Sequence, residues 1–340
     1  MAQTGSRVDL PHGAVSEYAA EPSSPDMGAS QLSGQHMLVH TLVCEQHLWF
    51  AVPCLRSLRA YSEDPVRLVL HDDGSLTQVS VALLAAAFPD SILVPRRSAD
   101  AELADSLAQL PHLAQARLHL PHVMKLFDVA FTHPEPILRY VDTDVLFQRR
   151  FRGLFPFSRP SASGAFMTDS RSCFGAHPGD FWPLGPLRLS RRLNSGLFWI
   201  QRDRIDYDRM EYLFKRWGPQ RIRKYHGWFE QTVWADQAWR ARCSMFDPAQ
   251  FGMPTHADSS SRKLTGVHFV TPTRTMLAVA LQSAPSASAE NSSGDIEDIR
   301  LCPSKTYGLS AAMFDAARAI GTLASSGNSR FARVISREKN

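Results

Sequence analysis

The stretch "ILRYVDTDVLFQRR", Ile137 to Arg150, sets two carboxylates, Asp142 and Asp144, between two apolar runs. Ile-Leu-Arg-Tyr-Val has the composition of a core strand, and Val-Leu-Phe follows at once. An ionised carboxylate is costly to bury unless it is paired or coordinated. On a continued strand both acids project to one side while Thr143 points to the other. Side by side they repel, so one must protonate or a cation must join them. Oxygen ligands suit Mg²⁺ or Mn²⁺, and Mg²⁺ is characteristically held by one or two carboxylates together with substrate phosphates. The pair is therefore read as a divalent-metal site. A solvated turn is the bland alternative, and the apolar neighbours on both sides weigh against it.

Working upstream, "HMLVHTLVC" (36–44) predicts a strand, and "EQHLWFAVPCLRSLRAY" (45–61) an amphipathic helix with Trp49, Val52, Leu55 and Leu58 on one face. "VRLVLHDDGS" is a second strand ending in acids and glycine. Thr77 is placed to cap a helix whose buried face carries Val81, Leu84 and Phe88. "SILVP" is a third strand, and residues 98–109 are helical. This alternation predicts an α/β fold, a mostly parallel central sheet flanked by helices. Ligands of such sheets sit beyond the carboxyl ends of the strands. "HDDGS" and "DTD" both fall at carboxyl ends, so one rim should carry both.

Downstream the pattern loosens. "PFSRPSASGAF" reads as a linker or irregular loop, "SGLFWI" as a short strand, and 206–217 and 228–240 as helices. "SRKLTGVHFV" restores order, and a final helix is expected over 309–324. The whole divides into a disordered N-terminal tail (1–35), one catalytic domain (36–325) with a mobile loop at 283–295, and a C-terminal tail (326–340).

With 340 residues, 44% hydrophobic and 21% charged, the chain has the makeup of a globular protein with a sizeable core. No run approaches 18 apolar residues, so no membrane span is expected. The N-terminus shows no secretory signal. Five scattered cysteines form neither a disulfide framework nor a CxxC metal knuckle, which points to a reducing cytoplasm. The net charge is +4, with basic clusters at 147–153, 188–196 and 215–224. No helix-turn-helix, zinc finger or RNA-reading aromatic strand accompanies them, so they favour solvated surface or an anionic small molecule over nucleic acid. Trp217, Trp228 and Trp234 are candidates to stack on an acceptor sugar, although aromatics more often serve the core. His268, alone in "TGVHFV", is ordinarily a satisfied core or edge group; as a metal ligand it adds a neutral imidazole to the acids.

Taken together, "HDDGSLT", "KLFD", "YVDTDVLF", "NSGLF", "FEQTVWA" and "GVHFV" resemble a nucleotide-diphospho-sugar glycosyltransferase of the A-type fold, nearest to family 8 and its bacterial relatives. The resemblance covers roughly 38–275 and implies a single Rossmann-like domain. By position it makes Asp142, Asp144 and His268 the ligands of Mn²⁺ or Mg²⁺. It places Thr41 and Val43 around the base, Asp72 or Asp73 on the nucleoside, and Lys125 near sugar and phosphates. Asn194 and Gly196 border the donor sugar, and Glu230 with Gln231 lines the reaction site. Family 8 reads His-x-x-Gly-x-x-Lys, whereas "HFVTPTR" puts Thr271 at the glycine and Arg274 at the diphosphate-contacting lysine. Arg274 can pair with phosphate in a bidentate way that lysine cannot. The acid–Gln pair is Glu–Gln where Asp–Gln is usual.

The resemblance thus implies metal-dependent transfer of a hexose from a UDP-sugar to the hydroxyl of a glycan, lipid or protein acceptor, with retention favoured over inversion. Acceptor specificity is expected in the irregular 155–190 stretch and the late loop. Two alternatives stand beside it. A haloacid-dehalogenase-like phosphatase also opens with strand–DxD, but there the motif lies on the first strand. A sugar-nucleotide-binding module that has lost turnover is the other.

Overall fold

The computed structural model describes residues 36–224, 226–254, 263–283 and 295–316. The expected tails 1–35 and 326–340, and residues 284–294 of the expected loop, lie outside them. The first half runs β1 (Met37–Val43), α1 (Leu48–Tyr61), β2 (Val66–Asp72), α2 (Gln78–Ala87), β3 (Ile92–Val94), α3 (Arg96–Glu102), α4 (Ala104–Ala108), α5 (Pro111–His119) and α6 (Asp128–Phe131). Then come β4 (Ile137–Val141), β5 (Val145–Phe147), β6 (Phe151–Arg152), β7 (Gly164–Thr168), β8 (Leu189–Ser190) and β9 (Leu193–Gln201). The remainder is α7 (Tyr207–Lys224), α8 (His226–Arg240), β10 (Ser244–Phe246), β11 (Phe251–Gly252), β12 (Gly266–His268), α9 (Arg274–Ser283), β13 (Glu297–Asp298), β14 (Leu301–Cys302) and β15 (Thr306–Tyr307). Residues 309–316 are helical, and the rest of the expected 309–324 helix lies outside the described residues.

The α/β architecture is as the alternation predicts. Eight strands form the central sheet in the order β14-β10-β7-β9-β4-β1-β2-β3. β1 pairs in parallel with β2 and β4, β2 with β3, and β7 with β10. β9 runs antiparallel to both β4 and β7. Both faces are covered, so the central strands β4 and β9 are buried along their whole length and their side chains alternate between two cores. In β9, Phe198 and Ile200 join the core containing Leu113, Phe127, Phe214 and Trp234. Leu197 and Trp199 join the one containing Leu55, Leu58, Leu84 and Phe88. Thr77 caps α2, its hydroxyl accepting the Ser80 amide hydrogen at 3.2 Å.

Three differences from the sequence expectations matter. The segment taken as a loop contains β7, a central strand of the sheet. The short strand at "SGLFWI" is a nine-residue strand that includes Asn194, Ser195 and Gly196. The helix expected to stop at 217 continues to Lys224 across a break at Gly218, whose φ of 68° glycine alone adopts freely. Trp217 and Trp234 belong to the core, whereas Trp228 is exposed. The basic cluster at 147–153 is engaged in surface ion pairs, Arg149–Glu297, Arg150–Glu63 and Arg152–Asp298. All five cysteines are free, and among the described residues no helix is long and apolar enough to cross a membrane.

Candidate active site

Topology gathers the site at one rim. The parallel strands β1, β2 and β4 deliver Val43, Asp72 and Val141 to the same edge. Antiparallel β9 brings its start there, with Leu197 opposite Val141 and the Asp142 amide donating to the Gly196 carbonyl. β12 pairs with β5 so that His268 faces Val145, one residue past Asp144. Asp142–Thr143–Asp144 is a turn, closed by a bond from the Val145 amide to the Asp142 carbonyl at 3.3 Å, where the sequence suggested a continued strand.

Oxygens of Asp142 and Asp144 and one ring nitrogen of His268 all lie within 4.8 Å of one another. His268 Nε2 is 2.9 Å from Asp144 Oδ1 and 3.7 Å from Asp142 Oδ2. Its Nδ1 meets Asn194 Oδ1 at 2.9 Å. Burial pulls the imidazole pKa down, but Asp144 and Asp142 outweigh burial and raise it. Asp144 is held below the usual carboxylate range because His268 and Arg274 more than offset its burial. The fit to a divalent cation is good: two carboxylates and one imidazole nitrogen converge, and Asp142 remains a quarter exposed as a way in.

Cations surround the acids. The Lys125 ammonium is 3.1 Å from both Asp142 oxygens and 3.6 Å from Glu230 Oε1. Burial would lower its pKa, yet Asp142 and Glu230 raise it, so it stays charged. Tyr140 donates its hydroxyl to Asp142 Oδ1 at 2.8 Å, and Lys125 lies over its ring. Arg274 donates from Nε and Nη2 to Asp144 Oδ2 at 3.0 and 2.9 Å, and its Nη1 meets His47 Nε2 at 3.0 Å. Glu230 accepts from Ser195 Oγ at 3.0 Å. Burial lifts its pKa to about 7 against the pull of Lys125.

The structure brings together Asp142, Asp144, His268, Lys125, Arg274, Asn194, Gly196 and Glu230. It turns Gln231 elsewhere: one residue along α8 points about 100° away, and its amide donates to the Cys173 carbonyl. Asp72 ends β2 and Asp73 follows it, and each accepts hydrogen bonds from the turn beyond. Thr41 and Val43 are fully buried; among the described residues the Thr41 hydroxyl has no hydrogen-bond partner, and the Val43 carbonyl accepts the Asp73 amide. Sequence reasoning missed Tyr140, Ser195, His47 and Asp169. Tyr140 and Ser195 lie inside quoted motifs, where they read as core and turn. His47 carries no signal, and Asp169 follows the strand mistaken for a loop.

No protein-family model matches the chain, and no curated protein matches it. Solved structures do align with it. Mouse xyloside xylosyltransferase 1 in its apo form covers 70% of this chain and 98% of its own, at 13% identity and a TM-score of 0.43. The galactosyltransferase LgtC with donor and acceptor sugar analogues covers 74% and 98%, at 13% identity and a TM-score of 0.43. Core-mannan synthase A from Aspergillus fumigatus, in an Mn/GDP form, covers 65% and 76%, at 15% identity and a TM-score of 0.42. These are glycosyltransferases, the class that the motifs resemble.

Proposed function

We propose that the chain is a metal-dependent glycosyltransferase that moves a hexose from a UDP-sugar to a hydroxyl of a glycan, lipid or protein, with retention. The observation that carries this is the convergence of Asp142, Asp144 and His268 at the carboxyl rim of an α/β sheet, with Lys125 buried beside them. A divalent cation held there would act as a Lewis acid on the diphosphate as it leaves. Lys125, fixed between Asp142 and Glu230, keeps a positive charge where leaving-group charge grows. Tyr140 and Lys125 hold Asp142 in place, so the carboxylate needs no reorientation when the donor arrives. Asp72 and Asp73, with the backbone of Thr41 and Val43, border the nucleoside; by the resemblance, Asn194 and Gly196 border the sugar.

Retention rests on the motif resemblance. Glu230, buried and held by Ser195 and Lys125, is placed to steady the sugar face; a carboxyl pushed up to about 7 also suits a general base, the role that inversion would give it. With retention the departing phosphate takes the acceptor proton. A haloacid-dehalogenase-like phosphatase needs Asp142 as a free nucleophile, but its oxygens are engaged by Tyr140 and Lys125, and its strand is the fourth of the sheet in chain order.

The test is a panel of UDP- and GDP-sugars incubated with the full chain and Mn²⁺, with released nucleotide and free sugar measured. Hydrolysis or transfer confined to one donor and abolished by chelator is expected. Phosphomonoester cleavage without sugar-nucleotide turnover would transfer the assignment to the phosphatase class. Nucleotide-sugar binding with no turnover under any condition would leave a binding module.

A further inference from the structure

The resemblance assigns Asn194 to the donor sugar. We propose that Asp169 and Asn194 are instead positioning residues that fix the ring and tautomer of His268, so that Nε2 is the nitrogen offered to the divalent cation. This rests on the metal role of Asp142, Asp144 and His268.

Three groups surround the Asn194 amide, and each constrains it. The Gly196 backbone N–H donates to Asn194 Oδ1 at 2.8 Å, which identifies that end of the amide as the oxygen. Asp169 Oδ2 is 3.3 Å from Nδ2, and an ionised carboxylate can only accept, which calls for the amino end there. The flip of the amide is thus determined twice. Asn194 Oδ1 also faces His268 Nδ1 at 2.9 Å. An amide oxygen cannot donate, so Nδ1 carries the proton. Nε2 faces Asp144 Oδ1 at 2.9 Å and Asp142 Oδ2 at 3.7 Å, and without a metal Asp144 holds a second proton there; a divalent cation bound by the two acids would take that proton's place and meet the Nε2 lone pair while Nδ1 keeps its hydrogen. A metal-binding histidine needs this arrangement, in which the far nitrogen donates to a fixed acceptor.

Sterics fix the ring as the hydrogen bonds fix the tautomer. A Cβ built on Gly196 would lie 2.2 Å from His268 Cε1 and 2.5 Å from Nδ1. The imidazole therefore packs on bare backbone, and glycine is required by close approach. The arrangement originates in the sheet. Phe166 pairs with Phe198, but the next residue, Met167, pairs with Asn194. The shift leaves Ser195, Gly196 and Leu197 without partners on β7, re-aims Asn194, and sets it beside Asp169, just past the end of β7.

The test uses the full chain without nucleotide. Ring ¹⁵N shifts of His268, read by NMR at a pH where the ring is neutral and no metal is present, report the tautomer directly. Calorimetric titration with Mn²⁺ reports affinity. Wild type should populate the Nδ1–H form more than Asn194→Ala does. In that variant Asp144, already 2.9 Å from Nε2, no longer has Asn194 competing with it for the proton, so the Nε2–H form should grow and Mn²⁺ affinity should fall on the order of 10- to 100-fold. Asn194→Asp keeps an acceptor and should keep the tautomer. Asp169→Asn, at a half-buried position, should lose a few-fold in affinity, and it reads the same quantities if Asn194→Ala does not fold. Wild-type tautomer and affinity in Asn194→Ala, with only KM for the sugar nucleotide raised, overturns the proposal and returns Asn194 to the sugar. Wild type that binds no Mn²⁺ overturns the metal role as well, so the two failures are told apart.

Discussion

His40 and His71 are as deeply buried as His268, yet the two places drive the imidazole in opposite directions. His40 on β1 and His71 on β2 pair Nδ1 to Nε2 at 2.8 Å with stacked rings. Burial lowers both pKa values, that of His71 to about 3, and each charged neighbour found beside them lowers them further. At the rim the same desolvation acts on His268, and Asp144 with Asp142 reverses it. Desolvation makes a histidine neutral; only convergent carboxylates make it a cation or a metal ligand. The difference lies in what the rim of the sheet can collect and its interior cannot.

The largest way to break this contrast is Asp144→Asn. It removes a ligand oxygen's charge and the acid that holds His268 up. Mn²⁺ affinity and transfer should both fall by more than the roughly 10- to 100-fold that loss of an outer partner costs. The His268 pKa, followed by NMR, should drop toward the behaviour of His40. A His268 pKa that stays raised in this variant would mean that something other than Asp144 governs the site.

A matched pair of deletions sharpens the contrast. His268→Ala should weaken Mn²⁺ binding about 10-fold or more and leave the urea midpoint nearly unchanged. His71→Ala should do the reverse, because it opens a cavity in the sheet and strands His40 Nδ1; a loss of about 2–4 kcal/mol is expected. Denaturation and calorimetry on both variants decide it, and a shared profile would erase the distinction between rim and interior.

The sequence does not separate these histidines. "LVHTLV", "LVLHDD" and "GVHFV" look alike, and His268 stood out because of a motif resemblance, with its chemistry shown only by the acids that folding brings to it. The first half of the fold was legible because β1, β2 and β4 are apolar runs with amphipathic helices between β1, β2 and β3. β7 was not. Its Gly164 reads as a loop residue, but a Cβ there would lie 2.8 Å from Cys243 Sγ and from the Trp199 carbonyl, so the strand needs glycine to pack. Asn-Ser-Gly likewise reads as a turn yet belongs to buried β9, where it serves the rim. Asp142, Asp144 and Lys125 carried enough local pattern to be found. Asp169 and His47 depend on contacts between segments distant in sequence, Asp169 with Asn194 and His47 with Arg274.

Acid provides a milder probe. The folded pKa of His71, about 3, lies below its ordinary value of 6.5, so the unfolded chain binds more protons between those limits. Stability should therefore fall as pH drops from about 6.5 toward 3, by up to about 1.4 kcal/mol per pH unit for one proton. Urea midpoints at pH 7, 6, 5 and 4 measure it. The double variant His40→Leu/His71→Leu removes both partners together and should flatten the slope. An unchanged slope would assign the acid sensitivity to other groups.

Glu230 is the intermediate case, and it gives the finest test. Burial pushes its carboxyl up to about 7, Asp142 adds to that, and Lys125 and Ser195 pull it down. A folded pKa raised above the ordinary 4.5 contributes stability that is fully present below 4.5 and is lost as pH rises through about 7. In Lys125→Met the main opposing charge disappears while Asp142 remains. The Glu230 pKa should move further up, and the loss of stability with rising pH should extend to higher pH than in wild type. Infrared difference spectra of the protonated carboxyl, taken across pH 5 to 9, follow the group itself, and urea midpoints follow its linkage to folding. If the rim's acids and cations act as one set, the carboxyl band in Lys125→Met persists to higher pH. If the band titrates as in wild type, Lys125 at 3.6 Å is too far or too well screened to matter, and burial alone sets Glu230 as it sets His71.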